Sequence, residues 1–421
     1  MLGLRTLGKT KTWAQGVFYG WWVLAGSVAT QFLTASFTLQ SFGAYFAVMA
    51  PEFGWSKTAF SVAFGIQQAG GGLLGPVIGW LLGRFGSRQV IRVGIIIFAV
   101  GVALLSQIQT LAHFYGAVCV IALGASLSGF LPLNTVVVQW FRRWRSLALA
   151  FVQTGIALGG LVVPIVAWAL ETFGWRASAL GSSVLVLLVG VPLTYILRNT
   201  PEEMDLEPDG GLPPQNPDAT PLERDFTARE AVRTRAFWFI SFGHSLALGV
   251  VFAVLAHLVV FLTNDHGFSL TLAAAMVTIM TSMSVAGQLI GGVLGDRMDK
   301  RFIATGAMFG HAAGLLMLTY GTGLGWVIAF AVTHGLAWGL RGPVMQSLRA
   351  DYFGRTHFGQ IMGLSSPIIT VGMVGGPVLA GGFADLFGSY HVGFTVLASL
   401  AALGSVFFML ATPPKRSKPA E

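Results

Sequence analysis

The chain is poor in charge and almost free of cysteine. Only 10% of its 421 residues are Asp, Glu, Lys or Arg, where soluble domains carry about 25%. So few charges cannot cover a surface that meets water all round, which argues against a secreted or cytosolic enzyme, a nucleic-acid-binding domain and a disordered chain. The single cysteine, Cys119, leaves no intrachain disulfide and no cysteine-rich metal cluster. Two glycine clusters, Ala157-Leu158-Gly159-Gly160 and Gly372-Met373-Val374-Gly375-Gly376, are not followed by Lys-Ser or Lys-Thr, so they are no phosphate loop. No nucleophile–base pair and no metal-ligand cluster stands out. An enzyme is therefore not expected, nor a cofactor or a metal.

What is abundant is apolar. Hydrophobic residues make up 54% of the chain, glycines number 55, and the mean hydropathy is +0.72. Lipid is the solvent such a composition suits, and membrane helices tolerate glycine where they pack closely. Twelve apolar runs are long enough to cross a bilayer, at roughly 18–42, 58–82, 90–108, 113–139, 147–170, 177–197, 236–263, 271–294, 302–321, 325–348, 359–384 and 391–411. The first follows Arg5, Lys9 and Lys11 but is too long for a signal peptide's apolar core, and it is read as span 1. The expected fold is an all-α membrane protein of twelve helices in two halves of six. The halves are 1–197 and 236–421, joined by a polar, Pro-rich linker at 198–235.

All but three of the 25 Lys and Arg residues fall at the two ends of the chain or in the even-numbered connections. Positive loops stay inside. The pattern predicts a multi-pass protein of the cell membrane with both termini and the linker in the cytoplasm, and it accounts for the net charge of +8. The halves also echo each other. Pro132 matches Pro343, Pro164 matches Pro377 and Glu171 matches Asp385, at offsets of 211, 213 and 214. Both halves start from the same side, so the repeat is parallel. Transporters built on repeats bind substrate at the repeat interface near the midplane and rock the halves about it.

Two loops carry a family resemblance. Gly292-Val293-Leu294-Gly295-Asp296-Arg297-Met298-Asp299-Lys300-Arg301, after span 8, resembles the G-x-x-x-D-R-x-G-R-K loop motif of the major facilitator superfamily, with Asp299 in place of the second glycine. The copy after span 2 runs Gly79-Trp80-Leu81-Leu82-Gly83-Arg84-Phe85-Gly86-Ser87-Arg88, with Gly83 in place of the Asp. The resemblance covers nearly the whole chain. It implies a secondary transporter in which Gly79, Arg84, Gly86, Arg88, Gly292, Asp296, Arg297 and Arg301 form cytoplasmic latches and not a substrate site. More narrowly, Tyr19-Gly20-Trp21-Trp22 and Glu52-Phe53-Gly54-Trp55-Ser56-Lys57-Thr58-Ala59-Phe60-Ser61 resemble stretches of the monocarboxylate porter and oxalate–formate antiporter group. That likeness implies small carboxylate substrates, moved with a proton or by exchange. The basic residue that well-known members carry in span 8 or 11 is missing here.

Away from the span ends one charge remains, Arg341 in span 10. A charge at that depth costs at least about 2.5–3.5 kcal/mol on insertion scales. Its planar fork suits a carboxylate, and no Asp or Glu within the spans neutralises it. An anionic substrate would supply the missing charge; the alternatives are snorkelling or a bond to carbonyls freed by Pro343. His334 and Trp338 share its side of the helix. His334 is a proton carrier or a packing histidine, and Trp338 a stacking surface or a packing one. Span 1 bears a polar stripe of Ser27, Gln31, Thr34, Thr38 and Ser41, read as cavity lining or as helix–helix glue. Asn134 beside Pro132, His244 and His257 in span 7, and Thr281, Ser284 and Gln288 in span 8 are weaker candidates. The substrate set expected is Arg341, His334, Trp338, Asn134, Thr34, Thr38, His257 and Gln288. The partners expected are a small organic anion, with or without a proton, and membrane lipid, with no nucleic acid and the protein a monomer. The other functions weighed are export of hydrophobic or cationic drugs, which calls for a buried acid that the spans lack, and a solute receptor, which calls for an effector domain.

Overall fold

A computed structural model describes residues 17–55, 57–212 and 225–414, helical almost throughout and, among the described residues, without a strand. The basic residues of both chain ends, Ser56, and the stretch 213–224 of the expected linker lie outside the described residues. Among those described, nine helical stretches are long and apolar enough to cross a membrane. One of them, Arg145–Ile196, turns back at Gly174, whose φ of 74° suits glycine, and so holds spans 5 and 6. Span 2, in two helices Lys57–Leu73 and Gly75–Phe85, and span 10, Leu324–Phe353, complete the twelve. Helix starts follow their capping side chains. Thr110, Thr234, Ser269 and Asp299 each accept a hydrogen bond from a backbone N–H two or three residues on.

The core falls into two clusters that follow the chain. One is drawn from residues 23–197 with Ala350, Phe358 and Met362 added, the other from residues 226–411. The halves meet most closely at the end where the even-numbered connections lie, called the basic end here. Span 2 crosses span 11 there with backbone against backbone: a Cβ on Gly79 would stand 2.8 Å from the Gly359 carbonyl oxygen, and one on Gly363 only 2.2 Å from that of Gly75. Span 8 meets span 5 in the same way, with Gly292 against the Leu147 backbone.

Polar ties reinforce this closure. The Asp296 carboxylate accepts the Ser146 N–H at 2.7 Å and the Leu147 N–H at 3.1 Å, at the start of the helix Arg145–Leu158. Arg145 pairs with Asp351 at 2.6 Å. Gln139 and Arg355 each donate to the other's carbonyl, and Glu202 pairs with Arg355. The hydrogen bonds and ion pairs that join the halves among the described residues thus lie at the basic end, and the molecule is closed there.

The described parts of the linker repeat one device. Asp209 accepts the N–H groups of Arg142 and Arg143, each at 2.7 Å. Asp225 accepts those of Arg355 and Thr356, at 2.9 and 2.7 Å. Arg142 and Arg355 stand 213 positions apart, an offset already met in the proline pairs. One carboxylate thus holds the equivalent loop of each half.

Candidate functional site

Between the halves, beyond the closed end, lies a cavity of about 420 Å³. Spans 1, 2, 4 and 5 line it from one half and spans 7, 10 and 11 from the other. Span 4 breaks beside it, at Gly129. Arg341 forms part of the wall. Its side chain is 1% exposed and makes no hydrogen bond or ion pair among the described residues, with Nε and Nη1 buried and unpartnered. It therefore neither snorkels nor caps the carbonyl freed by Pro343. Among the described residues no Asp or Glu lines the cavity.

Two further positions shape the electrostatics. Arg349, one of two buried arginines in span 10, turns both of its terminal nitrogens to His244 Nδ1 at 3.2 Å. A guanidinium only donates, so Nδ1 must accept and the His244 proton must sit on Nε2. His244 lines the cavity, and in that tautomer it is a second donor beside Arg341. Sequence reasoning counted Arg349 among the loop charges. The remaining polar wall includes five amides: Gln31, Gln67, Gln68, Gln153 and Gln346. Of these only Gln31 stood out in the sequence. The signal was present, since five amides within apolar spans are costly to place in lipid.

Among the expected site residues, Arg341, Trp338, Thr34 and Thr38 line the cavity. The other four do not. His334 is fully buried with its Nδ1 3.2 Å from that of His311 in span 9. Asn134 is fully buried, and neither of its side-chain polar atoms has a partner. His257 bonds the Pro377 carbonyl and the Tyr390 hydroxyl. Gln288 packs where span 8 crosses span 10 at Gly339.

The family model of the Major Facilitator Superfamily matches residues 28–339 and 258–421. The chain belongs to the Major Facilitator Superfamily. Its superfamily relatives include monocarboxylate transporter 11 of Mus musculus, 27% identical across 93% of this chain and 87% of that protein. An agnestins efflux protein of Paecilomyces divaricatus is 25% identical across 92% of this chain and 86% of its own. Among solved structures, the human organic anion transporter MFSD10 aligns with a TM-score of 0.70 and 17% identity over 92% of this chain and 99% of that one. That likeness shows the fold, twelve helices in two halves, and the family together with the apolar helices makes the chain an integral membrane protein.

The superfamily's loop motif can be read in place. Asp296 caps span 5 across the interface between the halves. Gly83 stands where the first copy would have its Asp, and a Cβ there would meet Gln360 Nε2 at 2.1 Å. Gly79 and Gly292 let the helices touch. Arg88 donates to the Thr194 carbonyl, and Gly86 turns the chain between spans 2 and 3 at φ 76°. Arg301 pairs with Asp299 at 2.7 Å. No hydrogen bond or ion pair involves Arg84 or Arg297 among the described residues; the Arg84 guanidinium lies over the Phe85 ring, 5.8 Å from its centroid.

Proposed function

We propose that the chain moves a small organic anion, in the first instance a monocarboxylate, across the membrane by alternating access. Arg341 is the anchor. The observation that carries the reading is a buried, unpaired guanidinium in the wall of a cavity shared by both halves and free of carboxylates. The mouse relative's name points the same way. With residues 1–197 and 236–421 rocking about the cavity and the basic end in the cytoplasm, the conformer described is closed inward. Among the described residues no carboxylate lines the cavity to carry a proton, which favours exchange of anions or a proton that travels on the substrate. The fungal relative is named an efflux protein, which favours a second reading, the export of hydrophobic or cationic drugs.

The test is the melting temperature of the purified full chain with pyruvate or with tetraphenylphosphonium. A ligand at ten times its Kd stabilises the folded protein by about 1.4 kcal/mol. Pyruvate is expected to raise the melting temperature of the wild type and not of Arg341→Gln, with Arg341→Lys between them because it keeps the charge but loses the fork. If the cation stabilises both proteins equally and pyruvate neither, the efflux reading replaces this one.

A further inference from the structure

The amides in the cavity wall ask for more than a carboxylate. Gln31, Gln67, Gln68, Gln153 and Gln346 make no side-chain hydrogen bond among the described residues. Gln31 Oε1, Gln67 Nε2, Gln153 Nε2 and Gln346 Oε1 are buried and unpartnered. Gln346 is 1% exposed and Gln31 6%. Each amide offers one acceptor and two donors, and turning it over exchanges their places without changing the count. An ionised carboxylate only accepts. It satisfies Arg341 and leaves the amide oxygens without a donor, at the cost that unpaired buried polar groups carry. A hydroxyl both donates and accepts, so a row of hydroxyls meets a row of amides group for group.

The placement is ordered too. Arg341 and Gln346 belong to span 10, while Gln31, Gln67, Gln68 and Gln153 come from spans 1, 2 and 5 of the other half. A molecule with a carboxylate at one end and hydroxyls along its length would bridge the halves, as a ligand must if it is to bias their rocking. Thr34, Thr38 and Thr370 extend the hydroxyl-binding wall.

We propose that the cavity selects a polyhydroxylated carboxylate of the sugar-acid class over an unsubstituted acid of equal length. This rests on Arg341 acting as the carboxylate anchor. The test measures binding to the purified full chain of gluconate, hexanoate and glucose, which separate the two chemistries. Gluconate is expected to bind at least about tenfold more tightly than hexanoate, because a site built for hydroxyls rejects the analogue that lacks them. Gln67→Leu and Gln153→Leu, tested singly so that one misfolded variant does not decide the matter, are each expected to weaken gluconate about tenfold more than hexanoate. Arg341→Gln should weaken both acids. If hexanoate binds as well as gluconate and both depend on Arg341, the sugar-acid selection is overturned while the anion reading stands. Glucose binding as tightly as gluconate, indifferent to Arg341→Gln, would overturn the carboxylate anchor along with it. If neither acid binds while pyruvate does, the sugar-acid selection is overturned and the anion reading stands; if pyruvate fails as well, both fall.

Discussion

Asp296 gives the closed end a measurable energy. Its carboxylate, 8% exposed, accepts two N–H groups at 2.7 and 3.1 Å where span 5 begins. Hydrogen bonds to a charged group contribute about 1.5–3 kcal/mol each and neutral ones about 0.5–1.5. A carboxylate at a helix start adds several tenths to about 2 kcal/mol more. Asp296→Asn keeps one neutral acceptor and turns an amide N–H₂ toward the other N–H. Burying the charge offsets part of that difference, so the net loss is about 1–3 kcal/mol, which moves a two-state equilibrium by about 5- to 150-fold. Because the two bonds cross between the halves, the loss falls on the closed conformer and not on the fold of either half. The assay is pulsed electron-spin distance measurement between labels at positions 142 and 298, in a background where the exposed Cys119 is replaced. The wild type is expected to show chiefly the short distance of the closed end, and Asp296→Asn a large long-distance fraction. A folded Asp296→Asn protein with an unchanged distance distribution would refute the argument.

Other outcomes follow from the same geometry. Gly83→Asp combined with Gln360→Ala, which clears the side chain a Cβ would strike, is expected to shift the same distances toward the closed state and to slow transport. Gly363→Val puts a branched side chain where even a Cβ would lie 2.2 Å from the Gly75 carbonyl oxygen. It should hold the basic end open, read as the long distance in most molecules. The two linker clamps should respond oppositely to pH. Burial alone would raise the Asp225 carboxyl, but hydrogen bonds from the Thr356 side chain and backbone and from the Arg355 N–H hold it below the usual range. Its stabilising share is therefore present above the ordinary carboxylate pKa and lost as pH falls through its own lower value. Asp209 is pushed up by burial, against the pull of the Arg143 and Arg142 N–H groups. Its share is full below the ordinary value and lost as pH rises through the higher one. At pH 7, Asp225→Asn should lower the melting temperature and Asp209→Asn should not.

Twelve spans, the parallel repeat and the depth of Arg341 were legible in the sequence because each follows from a property of the residues themselves: run length, charge side, offset and cost of burial. The faces of the helices were not. His334 and Arg341 lie on nearly the same side of span 10, yet at one depth span 9 presents His311 and at the other the cavity begins. Which neighbour a helix meets at a given depth is a tertiary fact that periodicity does not carry. The glutamines escaped notice for a different reason. A hydropathy window averages an isolated amide into its apolar surroundings, and only the convergence of five from four helices makes them a site. Arg349 was misplaced because a charge eight residues beyond Arg341 looks like a helix end, whereas the helix runs on to Phe353 and its guanidinium is 1% exposed.

The paired clamps bear on how much the covalent thread between the halves matters. From Asp209 to Asp225 there are 16 chain steps, which could span at most about 55 Å. The work of opening falls on contacts that must part, Glu202 with Arg355 among them. Each half also keeps its own clamp on its own loop. A gene cut within 213–224 should therefore yield two polypeptides that find each other in the membrane and transport together, the thread serving to deliver both halves in equal number.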